Sequence, residues 1–439
     1  MLRYEVMQLL IKNGQIATHE KIFNGDILIE GEKIKKIAPS IKASKISQVL
    51  DASGLIILPG LIDIHVHFRD PGAIHKEDFH TGSCAALAGG VTTIVDMPNN
   101  NPSIDSEKTL KEKMKIAKNK SVCDYQFYVG ATSDNQKEVA KLASKIAGMK
   151  LYMGSTTGNL LVADEASVLK HFQTYPKNKP IMLHCEDEKL IQLFSGASKS
   201  GHNKNRPPIA AAVALAKALE LAKVADRRIH ICHISTKREV DLIRQAKKEG
   251  IKVTCEVAPH HLFLTEEDQK KKKNFGKMNP PLRSKEDEQA LWENLDVIDA
   301  IATDHAPHTR EEKNLNYEKA PSGVSGVETT LPLLLNGVLE KKLTFLDFVR
   351  LTSFGPAKIA GLEKKGELKV GYDADLVLVD PKARGKITNK VLFTKCAWSP
   401  FDGWGVSGKI VSTYLRGKEV FGNGRVIAPK AYGKLVTSS

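Results

Sequence analysis

Histidines in this 439-residue chain recur directly after short apolar segments that are rich in β-branched residues. His65 and His67 close the first of these segments, His184 and His233 close two others, and Asp304 follows a fourth. Because one residue separates His65 from His67, an extended strand directs both imidazoles to the same side. A lone pair with this spacing is typical of two partly buried polar residues. With the other three donors present, the set favours a divalent metal in a catalytic rather than a structural site.

Lys150 lies within a further apolar segment, where an ammonium group near the strand end would face a cationic metal. One interpretation is that its side chain extends along the surface and places the ammonium in solvent. The alternative is that a desolvated lysine loses its proton beside the metal and adds CO₂. The resulting carbamate is an anion with two oxygens and can bridge two metal ions. The spacing of the sequence leaves both interpretations open.

The middle of the chain alternates short apolar runs with helical stretches, which predicts the elements that position these side chains. The predicted strands are 61–64, 91–95, 125–129, 149–152, 181–183, 229–232, 253–257 and 298–302. The predicted helices include 106–119, 163–171, 208–224, 236–249 and 284–295. Eight such units favour an α/β fold, a (β/α)₈ TIM-type barrel, whose active sites lie at the carboxyl ends of the strands. A doubly wound sheet is the alternative, but no G-x-G-x-x-G motif follows the first strand.

Both ends of the chain are rich in predicted strands and frame the barrel. These strands cover 6–16, 26–38 and 47–58 at one end, and 375–379 and 408–415 at the other. We therefore predict a small β-sandwich domain formed by both termini, residues 1–58 and 362–439, and a barrel over residues 59–361.

Composition excludes several classes of protein. A chain with 41% hydrophobic and 26% charged residues is not disordered. Its net charge of +14 suggests a nucleic-acid partner, but the basic residues are spread along the chain and the dense run 270–273 contains no aromatic residue. No apolar stretch reaches the ~18 residues of a membrane span, and the N-terminus lacks the layout of a signal peptide. We expect a cytoplasmic protein without nucleic-acid or membrane partners.

Five motifs, in order along the chain, resemble those of the dihydroorotases within the amidohydrolase superfamily. They are HVHFRDPG at 65–72, MPN at 97–99, KLY at 150–152, NPPLR at 279–283 and DHAPH at 304–308, and GYDADL at 371–376 extends the resemblance into the closing β-domain. The stretch VTCEVAPHH at 253–261 and the lysine at 150 are similar to the class I type, close to the dihydroorotase domain of the animal multifunctional pyrimidine enzyme.

The resemblance implies a zinc-dependent cyclic amide hydrolase. It would interconvert N-carbamoyl-L-aspartate with L-dihydroorotate and water, in de novo pyrimidine (UMP) biosynthesis. Two Zn²⁺ per chain would be bound, the first by His65, His67 and Asp304 and the second by His184 and His233, with Lys150 as an N6-carboxylysine bridging them. Asp304 would act as general acid and base, moving a proton between the attacking water and the leaving amide nitrogen. The resemblance also implies a homodimer.

The same resemblance assigns residues that contact the substrate. Arg69, Asn99 and His308 would bind its carboxylate, and an arginine fork suits that group. From spacing alone we expect Arg69 to share one side of an extended strand end with His67. A surface ion pair is the alternative for Arg69, and a turn position is the alternative for Asn99. Asn279, Ser322 and Gly323 are implied to contact the ring and the carbamoyl part.

Three features leave alternatives open. Thr156 and Thr157 lie in a Gly-flanked loop that would cover the substrate as a lid. Cys232 and Glu256 could bind a further metal, but we favour a small buried residue and a partner that orients a ligand. The polar segment 194–206 resembles an insertion over the barrel rim and receives no function.

A related cyclic amidohydrolase, an allantoinase or hydantoinase, is the rival enzyme, and a non-catalytic homologue that binds a partner is the rival of another class.

Overall fold

Two sheets organise the chain, and the computed structural model describes residues 8–43, 46–155, 159–197 and 201–439. The first five strands are β1 Gln8–Ala17, β2 Ile22–Glu30, β3 Lys33–Ala38, β4 Gln48–Asp51 and β5 Ile56–Pro59. The next eight are β6 Leu61–Val66, β7 Val91–Asp96, β8 Asp124–Gly130, β9 Gly148–Tyr152, β10 Ile181–His184, β11 Ile229–Ile231, β12 Val253–Val257 and β13 Ala300–Ile301. The last four are β14 Leu376–Lys386, β15 Gly405–Leu415, β16 Lys418–Gly422 and β17 Arg425–Val426.

Helices follow most of the central strands. They are α1 Phe79–Ala88, α2 Glu107–Lys120, α3 Gln136–Leu142, α4 Glu165–Thr174, α5 Glu188–Ala197, α6 His202–Asn205, α7 Pro208–Val224, α8 Lys237–Lys248, α9 Pro259–Phe263, α10 Glu266–Lys272, α11 Lys285–Glu293, α12 Arg310–Lys313, α13 Thr330–Leu339, α14 Phe345–Val349 and α15 Gly355–Ala360. Local chemistry fixes several helix starts: Pro208 begins α7, and Thr236 and Glu239 form a capping box on α8. None of the helices within the described ranges is long and apolar enough to cross a membrane.

The eight central strands form one parallel sheet in chain order from β6 to β13. A parallel bridge between Val66 and His305 joins the two ends of this sheet, and the amide of His67 donates to the carbonyl of His305 at 2.8 Å. The predicted (β/α)₈ barrel is therefore confirmed. The eighth strand is only two residues long, because the chain leaves the sheet before Asp304, which has a φ of 46°.

The terminal strands form a separate, mostly antiparallel sheet in the order β17-β16-β15-β14-β5-β1-β2-β3, with β4 paired to β1. Ile34 of β3 and Tyr414 of β15 belong to one buried cluster, so the sheet curls and encloses its own core. This agrees with a small β-domain made from both ends of the chain. The boundaries at 58/59 and 361/362 stay predictions. The basic run 270–273 lies at the end of α10 and directly after it, on a largely exposed surface.

A buried carboxylate fastens the first barrel strand to the last. Asp63 on β6 accepts hydrogen bonds from the amide of Thr303 at 3.1 Å and from the Thr303 hydroxyl. The amide of His65 also donates to Asp63 at 3.1 Å, so the same carboxylate fixes the backbone at His65. The barrel closure and the first histidine therefore share one anchor.

Replacing Thr303 with valine removes the hydroxyl donor while keeping the shape of the side chain. We expect Thr303→Val to lower the free energy of unfolding by about 1–3 kcal/mol, because the buried Asp63 carboxylate loses a donor and the buried amide of His305 loses the hydroxyl oxygen that accepts from it. Urea denaturation of the metal-free protein measures this loss. Thr330→Val is the matched control, because its acceptor, the carbonyl of Gly326, keeps a hydrogen bond from the amide of Thr329. Equal losses in the two variants would contradict a special role for the Asp63 contact.

Candidate active site

A cavity of about 340 Å³ opens at the carboxyl ends of the barrel strands. Most residues that the sequence predicted for the site line it: His65, His67, Arg69, Asn99, His184, His233, Asn279, Asp304, His308, Ser322 and Gly323. Lys150 is fully buried on β9, and its Nζ donates to Sγ of Cys232 at 2.8 Å. Thr156 and Thr157 lie outside the described residues.

Two histidines from β6 and the segment after it face Asp304. The Nε2 atoms of His65 and His67 lie 3.3 and 2.9 Å from Oδ1 of Asp304. Their Nδ1 atoms point the other way: that of His65 contacts the Glu256 carboxylate, and that of His67 lies 2.6 Å from Oδ1 of Asn99. Each ring is held by an oxygen on its outer side and presents its second nitrogen to the same carboxylate.

The other two histidines come from the end of β10 and from the segment after β11. Nδ1 of His184 lies 3.0 Å from Nε2 of His233, and Nε2 of His184 lies 2.9 Å from Oε2 of Glu186. Nδ1 of His233 is buried and has no hydrogen-bond partner among the described residues. The ring centroids of His65 and His233 are 5.2 Å apart, so the two histidine groups form one continuous site.

Burial and neighbouring charges set protonation states that suit metal ligands. Burial, together with the Lys150 cation, lowers the pKa of His65 to about 4, and burial also lowers the pKa of His233 well below its ordinary value. Burial alone would raise the pKa of Asp304, but the neighbouring His65 and His67 outweigh it and hold that pKa well below its usual range. Neutral imidazoles and an ionised carboxylate are the forms that bind divalent metals.

A cation and a histidine line the cavity near this cluster. Nη2 of Arg69 lies 3.1 Å from Nε2 of His308, and Nε of Arg69 donates to the carbonyl of Pro307 at 3.1 Å. The expectation that Arg69 extends a regular strand was wrong, because β6 ends at Val66 and Arg69 has a φ of 63°. The left-handed turn brings the guanidinium into the cavity by another route.

The loop carrying Ser322 and Gly323 closes another side of the cavity. Gly323 has a φ of 137°, and a Cβ there would lie 2.5 Å from the carbonyl oxygen of Ala306, so a larger residue would not fit. The buried Nζ of Lys313 donates to the carbonyls of Pro321 and Gly323, each at 3.0 Å. A buried ammonium thus fixes the backbone of this loop.

Sequence reasoning anticipated Glu256 as a partner that orients a ligand, and its contact with His65 has that geometry. It missed Glu186, Arg206, Tyr152 and Ser155, of which the last three line the cavity. Glu186 follows His184 by two residues, and this spacing at a strand end was a usable signal. Arg206 closes a polar segment, and no local pattern points to its place in the site.

The chain belongs to the amidohydrolase family, whose model matches residues 56–420. The dihydroorotase of Methanosarcina acetivorans is 41% identical over 410 residues, which cover 90% of this chain and 88% of that protein. The multifunctional protein CAD of Squalus acanthias is 39% identical over 409 residues, 93% of this chain but 17% of that longer protein. The structure of the L-hydantoinase (dihydropyrimidinase) from Arthrobacter aurescens has a TM-score of 0.94 at 31% identity and covers 98% of this chain and 99% of its own. The resemblance stated from the motifs is confirmed.

The low pKa of His308 makes stability depend on pH. Burial first, and then Arg69, lower this pKa to about 3, whereas the unfolded chain binds the same proton near 6.5. Between these values the unfolded state binds more protons, so this residue makes the protein less stable as pH falls below 6.5. We expect His308→Asn to reduce the stability lost between pH 7.5 and pH 5 by about 1–2 kcal/mol. Urea denaturation of metal-free protein at both pH values measures the change, and equal losses in both proteins would contradict it.

Proposed function

We propose that this protein is a dihydroorotase that interconverts N-carbamoyl-L-aspartate with L-dihydroorotate and water, in pyrimidine biosynthesis. Relatives bearing that name match nine-tenths of the chain. The observation that carries the proposal is the pairing of two elements in one cavity. A cluster of buried imidazoles presents free ring nitrogens next to Asp304, and the Arg69 guanidinium lies beside His308 in the same lining. The first element suits metal-assisted amide hydrolysis, and the second suits an anionic substrate.

The donor set fits two zinc ions. His65, His67 and Asp304 would hold one ion, and His184 and His233 the other. Lys150, carboxylated by CO₂, would bridge them and replace a buried cation with an anion. When bound, the two ions supply the Lewis acidity that activates water and polarises the scissile carbonyl. The facing Nδ1 of His184 and Nε2 of His233, 3.0 Å apart, and the inward Nε2 atoms of His65 and His67 support this assignment.

Asp304 would carry out the proton transfers. The neighbouring His65 and His67 hold its pKa below the usual range, so its carboxylate is ionised. In that form it would accept a proton from the attacking water. The same group would then return that proton to the leaving amide nitrogen. Asp304 would thus act first as general base and then as general acid. In the cyclisation direction the order of the two transfers is reversed.

The remaining cavity residues would select the substrate. Arg69, Asn99 and His308 would bind the carboxylate. Oδ1 of Asn99 is already committed to His67, while its amide NH₂ has no acceptor among the residues that the structure describes and could donate. Oδ1 of Asn279 is buried without a hydrogen-bond partner among the described residues and would accept from the ring or the carbamoyl group. Ser322 and Gly323 complete the cavity wall.

Two rival functions are weaker. A hydantoinase is favoured by the structural likeness, but its cyclic substrate needs no carboxylate-binding cation, whereas Arg69 lines this cavity and would serve as one. A non-catalytic homologue that binds a partner typically loses metal ligands, whereas every expected ligand is retained. The proposal includes a homodimer, which light scattering of the purified protein tests.

Activity measurements decide between these functions. We expect the purified protein to consume L-dihydroorotate, followed by ultraviolet absorbance, and to contain about two zinc ions per chain. Removal of zinc by a chelator should abolish activity, and added zinc should restore it. Turnover of hydantoin or allantoin with no turnover of dihydroorotate would contradict the proposal.

The carbamate bridge makes a separate prediction at Lys150. We expect Lys150→Ala to lose bound zinc and activity together, because the bridging anion is removed. Short carboxylic acids such as acetate or propionate should restore part of the activity by occupying the vacated space. Lys223→Ala, at an exposed lysine paired with Glu249, is the control and should keep full activity. Unchanged activity in Lys150→Ala without added acid would rule out the bridge.

Arg69 is expected to bind substrate rather than to take part in the chemical step. Lysine keeps the charge but lacks the planar fork, so Arg69→Lys should raise KM about 10–100-fold with a smaller change in kcat. Steady-state kinetics in both directions measure the effect. Arg244→Lys, at a half-exposed arginine paired with Asp296, is the matched control. Unchanged KM would remove Arg69 from the substrate contacts.

A further inference from the structure

The polar segment that sequence reasoning left without a function ends in a residue of the active-site cavity. Arg206 closes this segment, is only 7% exposed and lines the cavity with the histidines. Its guanidinium forms a two-pronged ion pair with Glu186: Nη2 lies 2.7 Å and Nε 3.0 Å from Oε2, and Nε lies 3.1 Å from Oε1. Glu186 is fully buried, so its carboxylate has no contact with solvent and depends on these hydrogen bonds.

Glu186 connects this ion pair to His184. The Oε2 atom that receives Arg206 also lies 2.9 Å from Nε2 of His184. A carboxylate accepts hydrogen bonds only, so Nε2 carries the ring proton and Nδ1 is left with its lone pair. Nδ1 is the atom that faces His233. The ion pair therefore selects the tautomer in which His184 can bind a metal together with His233.

The segment before Arg206 is fastened to the loop that carries Asn279. The ring Nε2 of His202 lies 2.8 Å from the carbonyl of Met278, and Nδ2 of Asn203 donates to the carbonyl of Leu282 at 2.8 Å. Nη1 of Arg283 donates to the carbonyl of Arg206 at 2.6 Å. These three contacts, at residues 202, 203 and 206, fix the backbone from which the Arg206 side chain reaches Glu186.

Arg206 also contacts the segment that directly follows β9. Its Nη2 donates to the carbonyl of Ser155 at 3.2 Å. Gly154, next to it, approaches so closely that a Cβ there would lie 2.5 Å from the carbonyl oxygen of Glu186. Arg206 thus links the segment after the Lys150 strand with the partner of His184.

We propose that Glu186 and Arg206 are positioning residues for His184, and that the 202–206 segment serves to place Arg206 in this role. The inference rests on the proposed two-zinc centre for its functional meaning. Glu186 fixes which ring nitrogen of His184 faces the metal, and Arg206 fixes Glu186. Neither residue is required to touch the substrate.

Two double variants separate positioning from simple structural support. Glu186→Gln with Arg206→Met and Glu186→Leu with Arg206→Met both remove the two buried charges together, so neither leaves a charge unpaired. Only glutamine keeps a side-chain oxygen that accepts from Nε2–H of His184. Thermal unfolding of the metal-free proteins checks that both variants fold.

Zinc affinity is the first measurement, by competition with a chromophoric chelator. We expect the glutamine variant, which keeps the acceptor oxygen but lacks the guanidinium that fixes it, to bind one of the two zinc ions slightly more weakly than the native protein. The leucine variant should bind the same ion about 10–100-fold more weakly. Cobalt substitution should show altered visible bands only in the leucine variant. Arg206→Lys, which keeps the charge without the fork, should weaken the same ion less than the leucine variant does. Arg244→Met with Asp296→Asn removes a surface pair as a control and should leave both affinities unchanged.

The second measurement needs no metal. Nitrogen NMR of histidine-labelled, metal-free protein reports the tautomer of His184, assigned with His184→Asn. We expect Nε2–H in the native and glutamine proteins and a mixture of tautomers in the leucine variant. Equal tautomers and equal zinc affinities in the two double variants would overturn the inference. If the native protein binds no zinc, the proposed function fails, and the tautomer measurement still decides whether Glu186 and Arg206 position His184.

Discussion

The active site depends on hydrogen bonds that reach the histidine rings from outside the cavity. An imidazole has two nitrogens, and a ring that is free to rotate offers either of them. Here Glu256, Asn99 and Glu186 each hold the outer nitrogen of one ring, so the inner nitrogens of His65 and His67 face Asp304 and that of His184 faces His233. Without these oxygens the same three histidines would present a mixture of donors and acceptors to the cavity. The metal-binding geometry is therefore set by residues that need not bind the metal themselves.

Burying these outer carboxylates is costly unless each is compensated, and the barrel supplies the compensation locally. Glu256 lies between His65 and His230, and these neighbours outweigh burial and hold its pKa below the usual range. Glu186 is compensated by Arg206. Burial alone would raise the pKa of Glu186, but the Arg206 guanidinium outweighs that effect and lowers it. The rim of the barrel therefore carries ionised carboxylates that are buried from solvent. Arg206 must keep its position because Glu186 depends on it for compensation.

The parts of the site that could be predicted from sequence are those fixed by one strand. Alternation along β6 predicted that His65 and His67 point together, and the barrel rule placed His184 and His233 at the same rim. Arg69 was predicted as a cavity residue, but by an extended strand that the structure replaces with a left-handed turn. Arg206 was not predicted, because its meeting with Glu186 depends on the path of α5 and α6 and on contacts with residues some 80 positions away in sequence. The spacing of residues in the sequence predicts contacts within one strand or helix. It predicts much less about contacts that a long connecting segment makes with distant parts of the chain.

The fold does not decide between an enzyme for dihydroorotate and one for hydantoins, since the L-hydantoinase structure matches nearly the whole chain. The distinction must come from the cavity wall opposite the histidines. A carboxylate on the substrate must find a cation that is not already neutralised, and Arg69 meets this condition because its contacts are the neutral His308 ring and a backbone carbonyl. Arg206, the other arginine of the cavity, is already paired with Glu186 and is not available. This geometry agrees with the different tasks that we propose for the two arginines: Arg206 would hold the histidine cluster in place through Glu186, and Arg69 would bind the carboxylate of the substrate.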